Sequence, residues 1–166
     1  QAVMKKITEL DQGFSTCFMN FYKVWLYILA SLCMIEFLLD STRFSASIAI
    51  SFLLMAWNVT QAVFGLQAIS QKSLSKANVA CWMMVISLIP SIISLIWVAF
   101  AIMTYVPTKS DEANSLFYAM MYYLLALTGI NTVVSIFVNL NGAFKVRNIL
   151  SERTILQERI DRANDP

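Results

Sequence analysis

The sequence predicts an all-α integral membrane protein, a four-helix (tetraspan) bundle with amphipathic helical arms at its N and C termini. Two observations carry this prediction. Hydrophobic residues make up 58% of the 166 residues and charged residues only 13%, whereas about 25% of an average soluble domain is charged. The charges are also clustered, which leaves four apolar stretches of 19 to 28 residues. About 20 helical residues cross a hydrocarbon core of about 30 Å.

The N-terminal arm is predicted to span residues 1–20. Apolar residues recur every three or four positions at Val3, Ile7, Leu10 and Phe14, while charged and amide side chains take the other faces. This spacing is typical of an amphipathic helix. A glycine at position 13 can bend the arm, which would then lie along the membrane surface.

The bundle is predicted to span residues 21–140. Its four crossings are residues 21–39, 44–69, 79–106 and 115–140. The longer crossings must tilt or project beyond the lipid. Because the connections between crossings are short, neighbouring helices are expected to be antiparallel.

The basic residues of the loops and tails predict the orientation. Ten of them fall on the side of both termini and of the connection between the second and third crossings. They are Lys5, Lys6, Lys23, Lys72, Lys76, Lys145, Arg147, Arg153, Arg159 and Arg162. The opposite side has only Arg43 and Lys109. The bias predicts that both termini lie in the cytoplasm, or in the equivalent compartment of an organelle.

Polar side chains interrupt the second, third and fourth crossings. They are Ser51, Asn58, Gln61, Ser87, Ser91, Thr128, Asn131 and Ser135. Most of them recur at helical spacing among small residues, as expected where membrane helices approach closely and hydrogen-bond to one another. We therefore interpret them as an interhelical seam, and a polar passage is the alternative. Asn58 begins an N-glycosylation motif, which is expected to be silent inside a crossing.

Glu36 and Lys23 are the only charged residues of the first crossing, and Glu36 lies about one turn from its far end. One interpretation places it at a pore mouth, where copies of the chain would form a ring of carboxylates. The favoured interpretation pairs it with Arg43 across the short turn or leaves it hydrated. In the third crossing, Pro90 predicts a kink, interpreted as a fixed bend with a hinge as the alternative.

The C-terminal arm is predicted to span residues 141–166. Val146, Ile149, Leu156 and Ile160 form an apolar stripe in which Arg153 fills a gap. The stripe predicts a contact with another protein, and the N-terminal arm or lipid are the alternatives. Its mixed charges favour protein, because they attract anionic lipid only weakly.

No catalytic motif appears in the sequence, and the absence of histidine removes the most common general base and metal ligand. We therefore expect a non-enzyme with no cofactor and no metal, bound to lipids and not to nucleic acid. The predicted function is a structural or accessory subunit that assembles with itself or with other membrane subunits. The alternative is an oligomeric ion channel or small transporter with Glu36 near the pore mouth. A lipid-handling enzyme is a third and weaker interpretation.

Overall fold

The computed structural model describes residues 2–41 and 48–164, and every regular element in this part of the chain is helical. The elements are α1 (Ala2–Gly13), α2 (Cys17–Ser41), α3 (Ile48–Ser70), α4 (Leu74–Thr104), α5 (Asp111–Val134), a π-helical turn (Ser135–Leu140) and α6 (Asn141–Asn164). Four helical stretches are long and apolar enough to cross a membrane. The all-α fold with four such helices is therefore confirmed.

Three helices, α2, α4 and α5, begin earlier than the apolar stretches that predicted them. α2 starts four residues before position 21, and α4 starts at Leu74 and not at 79. The fourth stretch is the first part of a continuous helical run, Asp111–Ala163, which includes α6. Polar residues extend these helices at their ends, where hydropathy carries no signal. Residues 44–47 of the predicted second crossing lie outside the described residues.

The predicted bend at Gly13 is confirmed as the end of α1. Phe14 and Ser15 form a tight turn, in which their backbone N–H groups donate to the carbonyls of Asp11 and Gln12. Thr16 then caps α2, because its hydroxyl oxygen accepts a hydrogen bond from the Met19 N–H at 3.3 Å. The arm and the first long helix are thus separate elements.

The connection between α3 and α4 is a Schellman turn. The Ser73 N–H donates to the Ala68 carbonyl at 3.2 Å, and Lys72 takes the left-handed conformation with φ 49°. Glycine usually fills that position, because a side chain costs energy there. Lys72 also forms an ion pair with Asp11.

The connection between α4 and α5 is organised around Asn114. Its Oδ1 accepts from the Tyr105 hydroxyl and from the N–H and hydroxyl of Thr108, while its Nδ2 donates to the Thr108 carbonyl. The Tyr105 ring stacks on Phe117 with centroids 3.7 Å apart. Ser110 caps α5. The connection is therefore a structured turn.

The chain divides into two compact units. The first comprises residues 1–83 and 141–166, and the second comprises residues 84–140. In the first unit, α2 packs along α3, and α6 packs on α1 and α3. Its fully buried large side chains are Met19, Tyr22, Leu26 and Leu150.

Candidate functional site

One end of the α2–α3 pair is tightly closed. Gly65 lies against Leu26, and a Cβ added at Gly65 would approach Leu26 Cδ1 to 2.9 Å. A Cβ on Gly142 of α6 would overlap the Tyr22 ring. We call the contact region of Tyr22, Leu26, Gly65 and Gly142 the closed end. Its close approach depends on glycine, as is common between membrane helices.

Tyr22 occupies the centre of the closed end. It is 1% exposed, and its neighbours are small side chains from three other helices. They are Gly65, Ala68, Ala77, Ala80 and Ala143. The Tyr22 hydroxyl is buried and has no hydrogen-bond partner within the described ranges. Tyr22 therefore contributes by filling space, and its hydroxyl lowers the net gain.

The other end of the α2–α3 pair opens into a cleft of about 270 Å³. We call it the open cleft. Its lining residues are Cys33, Glu36, Phe37, Ser51, Leu54, Met55 and Asn58. Three residues that the sequence singled out, Glu36, Ser51 and Asn58, thus line one space.

The polar groups of the open cleft come from both helices. Cys33 and Glu36 belong to α2, and Ser51 and Asn58 face them across the cleft from α3. The Glu36 side chain is exposed, whereas Ser51 and Asn58 are half-buried. Arg43, the partner predicted for Glu36, lies outside the described residues, so this pairing stays a prediction.

The predicted seam on α3 continues from the open cleft into the closed end. Ser51 and Asn58 line the cleft, while Ala62 and Gly65 are buried in the closed half of the helix. Gln61, beside Ala62, is 2% exposed. One face of α3 therefore both packs against α2 and lines the cleft.

Three hydroxyl groups on the apolar helices of the second unit bond within their own helices. The Ser91 hydroxyl donates to the Ser87 carbonyl at 3.2 Å, beside Pro90, through which α4 continues. The Thr128 hydroxyl donates to the Leu124 and Leu125 carbonyls, and that of Thr132 donates to the Thr128 carbonyl. These partners are intrahelical, whereas the seam interpretation expected partners on neighbouring helices.

The remaining seam residues of the second unit lie near the π-helical turn. The Ser135 N–H, at the start of this turn, is shared between the carbonyls of Asn131 and Thr132. The Ser135 side chain is half-buried, and the Asn131 side chain is exposed. Of the eight predicted seam residues, Asn131 alone has an exposed side chain.

The terminal arms are joined by an ion cluster that the sequence did not predict. Lys72 Nζ lies 2.7 Å from Asp11 Oδ2, and Arg153 Nε lies 3.2 Å from Asp11 Oδ1. We call Asp11, Lys72 and Arg153 the arm ion cluster. The hydrogen bond from Lys72 lowers the pKa of the Asp11 carboxyl below its usual value, against a smaller opposing effect of burial, and Arg153 adds to the lowering. The two arms and the α3–α4 turn therefore meet at one end of the first unit.

Residues of the apolar stripe of α6 pack against other parts of the same chain. Val146 and Leu156 are buried, and Ile149 lies 3.2 Å from the position of a Cβ on Gly13. Ile160 is half-buried. α6 packs on α1, and Ile149 contacts the N-terminal arm, which was one of the alternative partners of the stripe. The favoured contact with another protein stays a prediction.

A signal for the arm ion cluster is present in the sequence. Asp11 follows Ile7 by four residues, so it lies beside the apolar face of α1. Arg153 fills the gap in the apolar stripe of α6. Opposite charges that interrupt two apolar stripes indicate that the stripes face each other.

Aromatic rings contact one another in both units. Phe21 and Trp25 stack in α2, and Tyr105, Phe117, Tyr118 and Tyr122 form a chain of ring contacts in the second unit. Lys23 Nζ, near the arms, donates to the Phe14 carbonyl at 3.0 Å. The Lys23 side chain thus extends towards the start of α2, as expected of a lysine that places its ammonium group near the membrane surface.

Comparison with known proteins finds no family model, no curated protein and no solved structure that matches this chain.

Proposed function

We propose that the chain is a non-catalytic, multi-pass membrane protein that acts as a structural or accessory subunit. It assembles inside the bilayer with copies of itself or with a larger membrane complex, and both its termini lie in the cytoplasm or the equivalent compartment. The observation that carries this proposal is the exposed amide of Asn131.

Asn131 lies within the fourth apolar stretch, nine residues before Leu140. Nine helical residues extend about 13.5 Å, so the amide is well inside a hydrocarbon core of about 30 Å. An amide that faces lipid loses its hydrogen bonds to water, and a neighbouring helix can replace them. An exposed amide at this depth therefore favours a helix from another subunit.

Further support comes from the contacts that the two arms make within their own chain. The arm ion cluster and the buried stripe of α6 join the arms to their own chain. Helix surfaces within the apolar stretches, and not the arms, are then the surfaces on which assembly depends.

Substitution of Asn131 tests the proposal. Native mass spectrometry in mild detergent would give the oligomeric state of the wild type and of Asn131→Leu. An interhelical hydrogen bond contributes about 0.6 kcal/mol on average and up to about 1.7, so each lost contact should weaken subunit association by about 3- to 20-fold. Asn148→Leu is the matched control, since Asn148 is an exposed asparagine on the same helical run but beyond the apolar stretch.

A lone 18.8 kDa monomer for the wild type, in detergent and in lipid discs, would reject the proposal. Equal weakening by Asn131→Leu and Asn148→Leu would remove the role assigned to Asn131.

A cation channel is the second candidate, and it rests on the placement of Glu36 beside Ser51 and Asn58 in the open cleft. A carboxylate near a pore mouth raises the local concentration of cations. Current across a reconstituted bilayer that falls in Glu36→Gln, but not in Glu112→Gln, would favour the channel over the structural subunit.

A further inference from the structure

The open cleft has the lining of a site for a positive group. Its polar groups are a carboxylate from Glu36, an amide from Asn58, a hydroxyl from Ser51 and a thiol from Cys33. None of its seven described lining residues is basic. Among these described residues the single formal charge is therefore negative, and the amide and hydroxyl oxygens can accept hydrogen bonds.

The position of Glu36 relative to the predicted membrane boundary favours a bound cation next to its carboxylate. Glu36 lies five residues before Ser41, the last residue of α2, which is about 7.5 Å along the helix. The carboxylate is thus placed near the boundary between headgroups and hydrocarbon. An ionised side chain at such a depth is costly unless it is hydrated or paired with an opposite charge.

The lining favours an organic cation over a metal ion. Across residues 2–41 and 48–164, no three His, Cys, Asp or Glu side chains come together to hold a metal. The lining does contain an aromatic ring, Phe37, which makes an edge contact with Phe52 at 5.6 Å between centroids. An ammonium group gains from one carboxylate and from one aromatic face.

The size of the open cleft limits the ligand. Its volume of about 270 Å³ is close to the lower limit for drug-sized ligands, about 300 Å³. A small headgroup fits, with Leu54 and Met55 beside its carbon atoms.

We propose that the open cleft binds an ammonium group of the primary or quaternary type, with Phe37 as its aromatic wall and with Glu36 as its counter-charge in place of the predicted pairing of Glu36 with Arg43. Two sources share this chemistry: the headgroup of a zwitterionic phospholipid and a free organic amine. The inference uses only α2 and α3 and does not depend on assembly through Asn131.

Cys33 provides a direct measurement, because its thiol lines the open cleft. Purified protein is placed in lipid discs of phosphatidylglycerol alone, or of phosphatidylglycerol with phosphatidylethanolamine or phosphatidylcholine, in a buffer free of amines. The rate of alkylation by a lipid-permeant maleimide is followed by mass spectrometry of the Cys33 and Cys17 peptides. Cys17 is exposed and outside the cleft, so it is the internal reference.

We expect the ammonium-bearing lipids to slow alkylation of Cys33 about fivefold relative to Cys17, the effect of one ion pair or cation–π contact. Glu36→Gln should abolish the slowing. Glu112→Gln, which neutralises an exposed carboxylate in the first turn of α5, should keep it. Addition of ethanolamine or choline to discs of phosphatidylglycerol alone identifies the source: slowing there indicates a free amine, and its absence indicates the lipid.

Three outcomes would overturn the proposal. The first is equal Cys33 rates in all lipids and with both free amines. The second is slowing that survives in Glu36→Gln. The third is slowing that follows the number of protein copies per disc and not the headgroup, which would identify a basic side chain of a neighbouring subunit as the occupant. The assembly-weakened Asn131→Leu variant should still show the headgroup effect, which separates this inference from the proposed function.

Discussion

The two ends of the α2–α3 pair contrast in packing although the same two helices form both. At the closed end, Gly65 allows close approach to Leu26, and Gly142 of α6 lies against the Tyr22 ring. At the other end, Ser51 and Asn58 take the equivalent face of α3, and the helices leave a cleft of about 270 Å³ beside Glu36. A third helix, α6, covers the closed end.

This difference shows that polar and small residues on one helix face need not have one role. Glycine and alanine bring backbones together, which gains dispersion energy and excludes ligands. Serine, asparagine and glutamate instead leave space and hydrogen-bonding groups. A stripe with both kinds of residue can therefore pack against a neighbouring helix along one part of its length and line a cleft along another.

The largest effect should come from removing Tyr22. Tyr22→Ala deletes a fully buried ring at the contact of four helices, and such truncations cost about 3–5 kcal/mol. We expect this loss in the free energy of unfolding, measured by reversible denaturation in mixed micelles with far-UV circular dichroism.

Tyr22→Phe is the matched control, because it removes only the hydroxyl. That hydroxyl is buried without a partner among the described residues, so its removal should leave stability unchanged or raise it by about 1 kcal/mol. A loss in Tyr22→Phe as large as in Tyr22→Ala would show that the hydroxyl, and not the ring volume, holds the closed end together.

The next largest effect should separate two glycines on the same helical run. In Gly142→Ala the new methyl group would overlap the Tyr22 ring, and in Gly129→Ala it would meet nothing within 4 Å. Overpacking costs about 1–3 kcal/mol, whereas alanine in place of an open helical glycine gains about 1 kcal/mol. Thermal unfolding in one detergent should therefore shift in opposite directions for the two variants.

The sign of this difference tests the packing of the closed end. If Gly142→Ala were as stable as Gly129→Ala, α6 would not approach α2 closely, and the contrast between the two ends would disappear.

Most of the fold was predictable because burial in lipid leaves a strong trace in composition. Long apolar stretches and the glycine at position 13 identified the helices and the first bend. The missing parts were helix ends, such as the start of α4 at Leu74, where polar residues continue a helix beyond the apolar stretch. The π-helical turn at Ser135–Leu140 was also missed, because no sequence period distinguishes one wide turn.

The sequence predicted the polar residues of the candidate site but not which of them lie close together in the fold. Periodicity put Ser51 and Asn58 on one face of α3 but did not align Glu36 of α2 with them. That alignment depends on the register between two helices, which the closed end fixes through Tyr22 and Leu26. The contact between the arms follows from the sequence only as an alternative, for a related reason: Asp11 and Arg153 are far apart in the chain and become partners only when the arms meet.

The smallest of these effects concerns the arm ion cluster, which adds an electrostatic contact to the half of the molecule that contains the closed end. The pKa of Asp11 is lower in the folded chain than its usual value of 3.8, through its hydrogen bond with Lys72 and the charge of Arg153. A lowered pKa of an acid stabilises the fold at pH values above its unfolded pKa, and this contribution is lost as the pH falls through the folded pKa. Asp11→Asn should therefore lower the free energy of unfolding by about 1 kcal/mol at pH 7, and the difference from wild type should shrink below pH 3.8.

Glu158→Gln is the control for Asp11→Asn, because Glu158 pairs with Arg162 at 3.8 Å on an exposed surface of α6. Exposed i, i+4 pairs contribute about 0.3–0.5 kcal/mol, and added salt should screen this pair more strongly than the arm ion cluster. Unfolding of both variants between pH 3 and pH 7 at two salt concentrations gives the comparison. If Asp11→Asn has no more effect than Glu158→Gln, apolar packing of α6 on α1, such as the contact of Ile149 with Gly13, joins the arms. The arm ion cluster then sets their alignment without adding to their stability.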